Sequence, residues 1–411
     1  LRHRQLAGLD FHLKSRVRIS DFMAQERTVQ DAERFRIREN LERHGIRLFR
    51  GQASFVDAHT VAVTPQRCEP TLLTADKFLI ATGSYPFRPA RLFPFTNPRI
   101  YDSDTILTLE ALPESLVVVG GGVIGCEYAC MFQALDVKVT IVEKRSSLLG
   151  GLDLEITEAL RQAMIEMGMT IRLEDEVAEV RDSGLTRLEV ELKSRNVLEA
   201  EALLVSSGRC GQTAGLNLEK IGITVNARGH IPVNEHYQTC VEHVYAAGDV
   251  IGNPSLASTA MAQGRMAVAH AFDLEFRTGL AELLPSGIYT IPECSMVGET
   301  EESLQKQGIP YVVGRAYYDK NARGKIIGDS RGFLKLLFAE QDMRLLGVHV
   351  IGEQATELVH IGLTAMMVGA GAELFIHTCY NYPTLSEVYK YAAYDGLGKR
   401  DARRRAREAA T

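Results

Sequence analysis

The spacing of hydrophobic and polar positions changes several times along the chain, and each change predicts an element. Between residues 21 and 45, apolar side chains recur at helical intervals (Phe22, Val29, Phe35, Ile37, Leu41) in a charged stretch, and Gly45 is placed to close the helix. Alternating, strand-like pieces follow: IRLFRG, ASFVD, TVAVT and then DKFLIA at 76–81. A second pattern starts near Pro113. Leu116–Val119 is a short, fully apolar strand, a glycine-rich turn and a helical stretch run to Leu135, and KVTIVE (138–143) is again a strand. Residues 153–168 carry Leu154, Ile156, Leu160 and Met164 on one helical stripe. From there to about Gly208 the alternation predicts a small antiparallel sheet. Strand–helix–strand order at this spacing predicts a parallel βαβ unit. HVYAAGDV and the helical run SLASTAMAQGRMAVAHAF come next. From about Gly287 the pattern becomes α+β, with GFLKLLF and LLGVHVIG as a hairpin. The helix ATELVHIGLTAMMVGA offers Leu358, Ile361, Met366 and Met367 equally to an internal core or to a subunit interface. Beyond Gly398 the basic stretch DARRRAREAA predicts a solvated, frayed terminus.

Composition narrows the class. The 411 residues suffice for two to four domains, and 45% hydrophobic with 24% charged residues is ordinary globular composition. A net charge of −6 gives no global attraction for nucleic acid or anionic membrane. The least charged run, Leu116–Phe132, is interrupted by glycines and Glu127 and is shorter than the ~20 residues of a membrane span, so no membrane partner is predicted. No signal peptide opens the chain, which starts at Leu1 in the basic segment LRHRQLAGLDFHLKSRVR and reads as entered partway. Seven cysteines, an odd number with no C-x-x-C, predict reduced thiols in the cytoplasm and no metal site. Cys126 and Cys130 share a helix face and are expected as small buried thiols.

The sharpest local signal is LVVVGGGVIGCEYA, residues 116–129, in which Gly120, Gly122 and Gly125 have the G-x-G-x-x-G spacing. Gly120 permits a tight strand-to-helix turn, Gly122 lets backbone approach a pyrophosphate, and Gly125 lets helix and strand pack closely. The helix N-terminus then offers unpaired N–H groups to phosphate. A second strand ends in Glu143, close to the expected spacing of ~20 residues for an acid on the ribose hydroxyls. That carboxylate favours NAD. Lys144 and Arg145 follow at once and suit either a 2′-phosphate or plain solvation; the mixed set fits a site that accepts both NAD(H) and NADP(H).

Three further segments carry a family resemblance: ATG (Ala81–Gly83), TCVEHVYAAGDV (239–250, a T-x5-Y-A-x-G-D pattern) and YNYPTLSE (380–387). In this order the chain resembles the two-dinucleotide flavoproteins of the lipoamide dehydrogenase and glutathione reductase family. PRIYDSDTIL, GVIGCEYA, GDVIGNPSLAS, GIYTIPE and NYPT are similar to its transhydrogenase branch. The resemblance implies an α/β fold with two Rossmann-like dinucleotide-binding domains, the FAD domain interrupted by the NAD(P) domain, and a C-terminal α+β dimerisation domain. The implied bounds are 1–111 and 237–286 for FAD, 112–236 for NAD(P), 287–398 for the interface domain and 399–411 for a basic tail. It also implies that a first FAD βαβ unit, with its own glycine motif and redox-helix thiols, lies before Leu1. FAD would be held by Thr82, Gly83, Asp249, the backbone near Ala257 and, against the adenine, Ala53. Val123, Ile124 and Gly208 join the NAD(P) set, and Glu127 is expected near the nicotinamide. Disulfide reductases of the family carry H-P-T-x-x-E, but here the segment is Tyr382-Pro383-Thr384-Leu385-Ser386-Glu387. A phenol with a pKa near 10 is a poor proton shuttle for a thiolate. That argues against dithiol chemistry, and the resemblance implies a homo-oligomer that passes hydride from NADPH to NAD+, with Tyr382 and Glu387 beside the flavin of a partner subunit. The alternatives are a lipoamide dehydrogenase-like reductase and an inactive NAD-binding fragment.

Overall fold

In the computed structural model, which describes residues 19–184, 187–275 and 283–410, helix α1 (Ile19–Arg43) opens the chain. The basic opening segment lies outside the described residues. The α1 periodicity is real, but Val29, Phe35 and Ile37 stand exposed, because among the described residues nothing packs on that stripe. Strands β1 (Gln52–Asp57), β2 (Thr60–Thr64) and β3 (Thr71–Thr74) form an antiparallel meander. Strands β4 (Phe78–Ile80) and β5 (Ser84–Pro86) follow it.

The centre of the molecule is a five-stranded parallel sheet. Its strands are β6 (Ile100–Asp102), β7 (Ser115–Val119), β8 (Lys138–Val142) and β9 (Thr170–Arg172), with β13 (Ala202–Val205) inserted between β6 and β7. Helices α2 (Val123–Ala134) and α3 (Leu154–Glu166) make the crossovers. Side chains alternate as a pleated strand requires. Leu116, Val118, Val139, Ile141 and Leu204 enter the core that also holds α2 and α3 residues, whereas Val117, Val142, Leu203 and Val205 enter the core on the other face. That second face is covered by an antiparallel meander of β10 (Val177–Asp182), β11 (Leu188–Leu192) and β12 (Val197–Ala200). The single antiparallel sheet expected up to Gly208 is thus corrected. β9 and β13 are parallel members of the main sheet. β13 is buried on both faces, and such a strand shows no period that distinguishes pairing direction; β9 has only three residues, too few to show one.

The chain then returns to the first region. β14 (Arg209–Gly211) pairs antiparallel with β5, and β15 (Val244–Ala246) pairs parallel with β4 before α4 (Ala257–Ala271). The last unit is a five-stranded antiparallel sheet of β16 (Ser286–Ile288), β17 (Cys294–Gly298), β18 (Tyr311–Tyr317), β19 (Phe333–Ala339) and β20 (Leu345–Ile351), in the order 16-17-20-19-18. Helices α5 (Glu301–Gln307), α6 (Ala322–Ile327), α7 (Ala355–Met367), α8 (Ala372–His377) and α9 (Val388–Ala410) accompany it. On α7, Leu358 is buried and Ile361 and Met366 pack on the core, while Met367 is exposed. The basic terminus is solvated as expected, but its expected fraying is corrected. α9 continues to Ala410 because Arg407 pairs with Glu340 at 3.0 Å and Arg403 donates to the Tyr311 carbonyl at 2.8 Å.

Candidate functional site

Of the ten residues singled out for the nicotinamide nucleotide, eight meet at one place: Gly208 and the seven residues Gly120, Gly122, Val123, Ile124, Glu143, Lys144 and Arg145. They line one cavity of about 720 Å³. It opens where β7 and β8 end and α2 begins, the carboxyl edge of a parallel sheet where ligands bind in this kind of fold. The glycines divide the work as their spacing predicts. A Cβ on Gly125 would lie 1.9 Å from the Gly120 carbonyl oxygen, so only hydrogen fits there; on Gly122 it would meet nothing within 4 Å, because that face looks into the cavity. Gly120 has φ +106°. α2 has no side-chain cap, which leaves its first N–H groups to an incoming anion.

Glu143 is almost fully buried at the cavity edge. Its Oε2 accepts from the Gly121 N–H at 2.6 Å and from Arg145 Nη2 at 3.0 Å, and its Oε1 accepts from Arg145 Nε at 3.0 Å. Arg145 is therefore an ion-pair partner and not a solvated loop cation, while Lys144 has no hydrogen bond or ion pair among the described residues. Glu127 does not line the cavity. Its Oε1 accepts from the Tyr289 N–H at 2.8 Å, and burial raises its carboxyl above the usual range against that bond. The site also holds residues that no motif named. Ser206 plugs the space that Gly120 and Gly125 leave, donating to the Val119 carbonyl at 2.8 Å. Arg228 lines the cavity with its guanidinium over the Phe87 ring at 4.6 Å.

The residues expected to hold FAD gather at the ends of another parallel pair. Thr82 and Gly83 follow β4, and Asp249 follows β15. Gly83 has φ +74° and open space on its α-carbon, and Thr82 Oγ1 donates to the Gln212 carbonyl at 2.7 Å. Asp249 Oδ2 accepts from Ser84 Oγ at 2.7 Å, and its Oδ1 has no partner among the described residues. Ala257 is the exposed first residue of α4, which also lacks a side-chain cap, and buried Gln263 of α4 accepts from the Gly248 N–H at 2.8 Å. A half-free carboxylate, an uncapped helix start and an open glycine fit a flavin nucleotide. Ala53 lies on β1, paired with Val63 in the antiparallel meander, and not on the β4–β15 pair.

Tyr382 is 74% exposed, and the Glu387 side chain has no hydrogen bond among the described residues; neither is brought to the cavity within one chain. Cys126, Cys130 and Cys294 are buried as free thiols, and burial pushes Cys130 up to about 11 and Cys294 up to about 12. Among the described residues no His/Cys/Asp/Glu cluster fits a metal, and no helix is long and apolar enough to cross a membrane.

Known proteins resemble this chain along most of its length. The model of the family "Pyridine nucleotide-disulphide oxidoreductase" matches residues 10–264, and that of its dimerisation domain matches residues 284–393. The chain is 46% identical over 400 residues to the soluble pyridine nucleotide transhydrogenase of Mycobacterium bovis, covering 97% of this chain and 85% of that one. It is 45% identical over 361 residues to the Yersinia enterocolitica protein of the same name, covering 87% and 77%. Among solved structures it is similar to LpdA of Mycobacterium tuberculosis, with TM-score 0.86 and 26% identity over 96% of this chain and 85% of that one. It is also similar to the HOCl-induced flavoprotein disulfide reductase RclA of Escherichia coli, with TM-score 0.83 and 28% identity over 89% and 83%.

Proposed function

The chain belongs to the pyridine nucleotide-disulphide oxidoreductase family, and we propose that it is an FAD-dependent NAD(P)+ transhydrogenase, NADPH + NAD+ ⇌ NADP+ + NADH. The observation that carries this reading is the Glu143–Arg145 pair. A carboxylate suited to a ribose diol and a guanidinium suited to a 2′-phosphate share one cavity, as a site used by both nucleotides requires.

When bound, the flavin supplies a two-electron acceptor and donor for hydride. The chain's own residues do the placing. The N–H groups at Val123 and Ile124 hold the pyrophosphate, and Gly122 gives it room. Glu143, Lys144 and Arg145 hold the adenosine ribose, Gly208 closes the wall, and Phe87, Pro89, Leu92 and Phe93 exclude water. Asp249, Thr82, Gly83 and the start of α4 at Ala257 hold the flavin nucleotide, with Ala53 towards its adenine and Glu127 towards the nicotinamide. Hydride transfer needs no general base, which suits a tyrosine at 382. Burial raises the thiols of Cys126, Cys130 and Cys294, so these three are packing groups and supply no thiolate.

The two nicotinamide nucleotides occupy the cavity in turn. The dimerisation domain pairs two chains, and Tyr382 and Glu387 of one complete the flavin site of the other. The domain bounds are those implied by the motifs, and the free thiols suit a cytoplasmic protein. Initial velocities with NADPH and NAD+ varied together test this. A yellow protein with parallel double-reciprocal lines is expected. Intersecting lines, a colourless preparation or a fully active monomer overturns the corresponding part of the scheme.

A further inference from the structure

A chain of hydrogen bonds enters the flavin side of the site from Arg209, the first residue of β14. Ser84 Oγ donates to Asp249 Oδ2 at 2.7 Å and accepts from Arg209 Nε at 2.7 Å, while Arg209 Nη2 donates to the Ser84 carbonyl at 2.8 Å. The remaining nitrogen, Nη1, reaches Ser103 Oγ at 3.2 Å and Asp104 Oδ1 at 3.3 Å, and the Ser103 carbonyl accepts from Tyr128 of α2 at 2.9 Å.

The direction of this chain is forced. A guanidinium has donors only, so Ser84 Oγ must accept from Arg209. The hydroxyl has a single proton, which is then committed to Asp249. A hydroxyl polarised by a cation makes a stronger bond to a carboxylate than a free one. The result pins Asp249 by Oδ2 and leaves Oδ1 for a ligand hydroxyl. We propose that Arg209, acting through Ser84, is the positioning residue that fixes the Asp249 carboxylate for the flavin. Its second arm, to residues 103 and 104 at the end of β6, ties that carboxylate to the nucleotide-binding sheet and α2. The inference rests on the reading of Asp249 as a flavin ligand.

Flavin affinity of the full chain, followed by quenching of FAD fluorescence alongside melting temperature, tests it. Ser84→Val and Ser84→Thr are near-isosteric and differ in the hydroxyl. The valine variant is expected to bind FAD about tenfold more weakly, and the threonine variant to stay within about twofold of the parent. Arg209→Met should also lose about tenfold. The Ser84→Val/Arg209→Met double variant should bind no more weakly than Ser84→Val alone, since both act along one path. Arg209→Lys should not rescue, because an ammonium lacks the fork that grips both Ser84 oxygens. The proposal falls if Ser84→Val keeps its affinity, or if Arg209→Met costs the same factor in the Ser84→Val background; should Arg209→Met fail to fold, the Ser84 pair decides alone. Asp249→Asn separates the two levels: if it leaves FAD affinity unchanged, or if the unmodified protein takes up no flavin, the flavin reading itself is overturned.

Discussion

Arg145 grips Glu143 as a two-pronged fork, Nε to Oε1 and Nη2 to Oε2, both at 3.0 Å, across the cavity rim where β8 ends. Burial pushes the Glu143 carboxyl up, but the bonds from Arg145 and from the backbone N–H groups of Arg145 and Gly121 outweigh it and hold the group below the usual carboxylate range. The pair is therefore charged on both sides. It sets an acceptor and, once the fork opens, a donor at the same rim of the cavity.

That relationship predicts how selectivity breaks. Without Arg145, Glu143 faces a 2′-phosphate with its charge uncompensated, whereas an unphosphorylated ribose still meets a good acceptor. Arg145→Gln is expected to lower kcat/KM for NADPH about tenfold or more, the range of a lost charged hydrogen bond, and to change kcat/KM for NADH less than threefold or so. Steady-state assays in both directions measure it. Equal losses for the two nucleotides would show Arg145 to be only a scaffold for Glu143.

The glycine turn predicts two alanine variants with opposite behaviour. Gly125→Ala drives a methyl against the Gly120 carbonyl oxygen and Ser206 Oγ. Neither can retreat without moving the turn, so a fall in stability of several kcal/mol, or no soluble protein, is expected. Gly122→Ala meets open space at φ −79°. It should melt within a few degrees of the parent and lose nucleotide affinity, because the methyl occupies the approach of the pyrophosphate. Thermal melts beside NADH titrations separate the two. A Gly122→Ala variant with undiminished affinity would move the pyrophosphate elsewhere.

The contrast shows what the sequence exposes. The 116–143 unit was legible because everything that defines it is local: an apolar strand, three glycines, an acid one strand later. Ser206, Arg209, Arg228 and Gln263 act across long stretches of chain and carry no periodic signature. Arg209 had one indirect signal, its place just after a fully apolar strand of a parallel sheet, where ligand-facing residues collect. β13 was assigned the wrong partner direction for a related reason: four buried apolar residues fix burial but not pairing. The basic stretch of α9 is solvated as expected but helical to its end, and the fraying was expected because a partner such as Glu340 lies in another element.

The packing of α3 against the last sheet predicts an acid-sensitive stability. Lys335, 1% exposed, holds Asp153 at 2.7 Å, Glu155 at 2.9 Å and Glu301 at 2.5 Å, and Arg315 also forks Glu155. Burial opposes the charged carboxylates. The bonds from Arg315 and Lys335 nevertheless bring Glu155 down to about 2, and His349, Lys335 and the Glu301 N–H keep Asp153 low. Groups depressed in the folded state stabilise it above their unfolded values near 4, and that stability is lost as pH falls through the folded values. His349 is buried beside this cluster, with Nε2 on the Glu299 carbonyl and Nδ1 unpartnered, and burial lowers its pKa. An unfolded histidine takes its proton near pH 6.5, where the native one does not. Urea midpoints should therefore begin to fall below about pH 6.5 and fall more steeply below about pH 4. His349→Gln should remove the first decline and keep the second. Lys335→Met, which strands three carboxylates together, should cost about 3–5 kcal/mol at neutral pH. Identical pH profiles for the parent and His349→Gln would rule out this assignment.

Tyr382 gives the prediction that bears most directly on reaction class. Its ring is exposed in a single chain, and its segment reads Tyr-Pro-Thr where the resemblance to disulfide reductases implies a histidine. A transfer of hydride between two nicotinamides moves no proton through the protein, so the phenol has only shape to contribute. Tyr382→Phe is expected to retain kcat within about threefold, with a flat dependence on pH between 6 and 9, because no ionisable group is removed from the reaction. Tyr382→Ala should lose more, through KM, if the ring of one chain covers the flavin of the other. A pH-dependent loss of kcat in Tyr382→Phe would mean that the hydroxyl moves a proton after all, and the assignment to hydride transfer alone would fail.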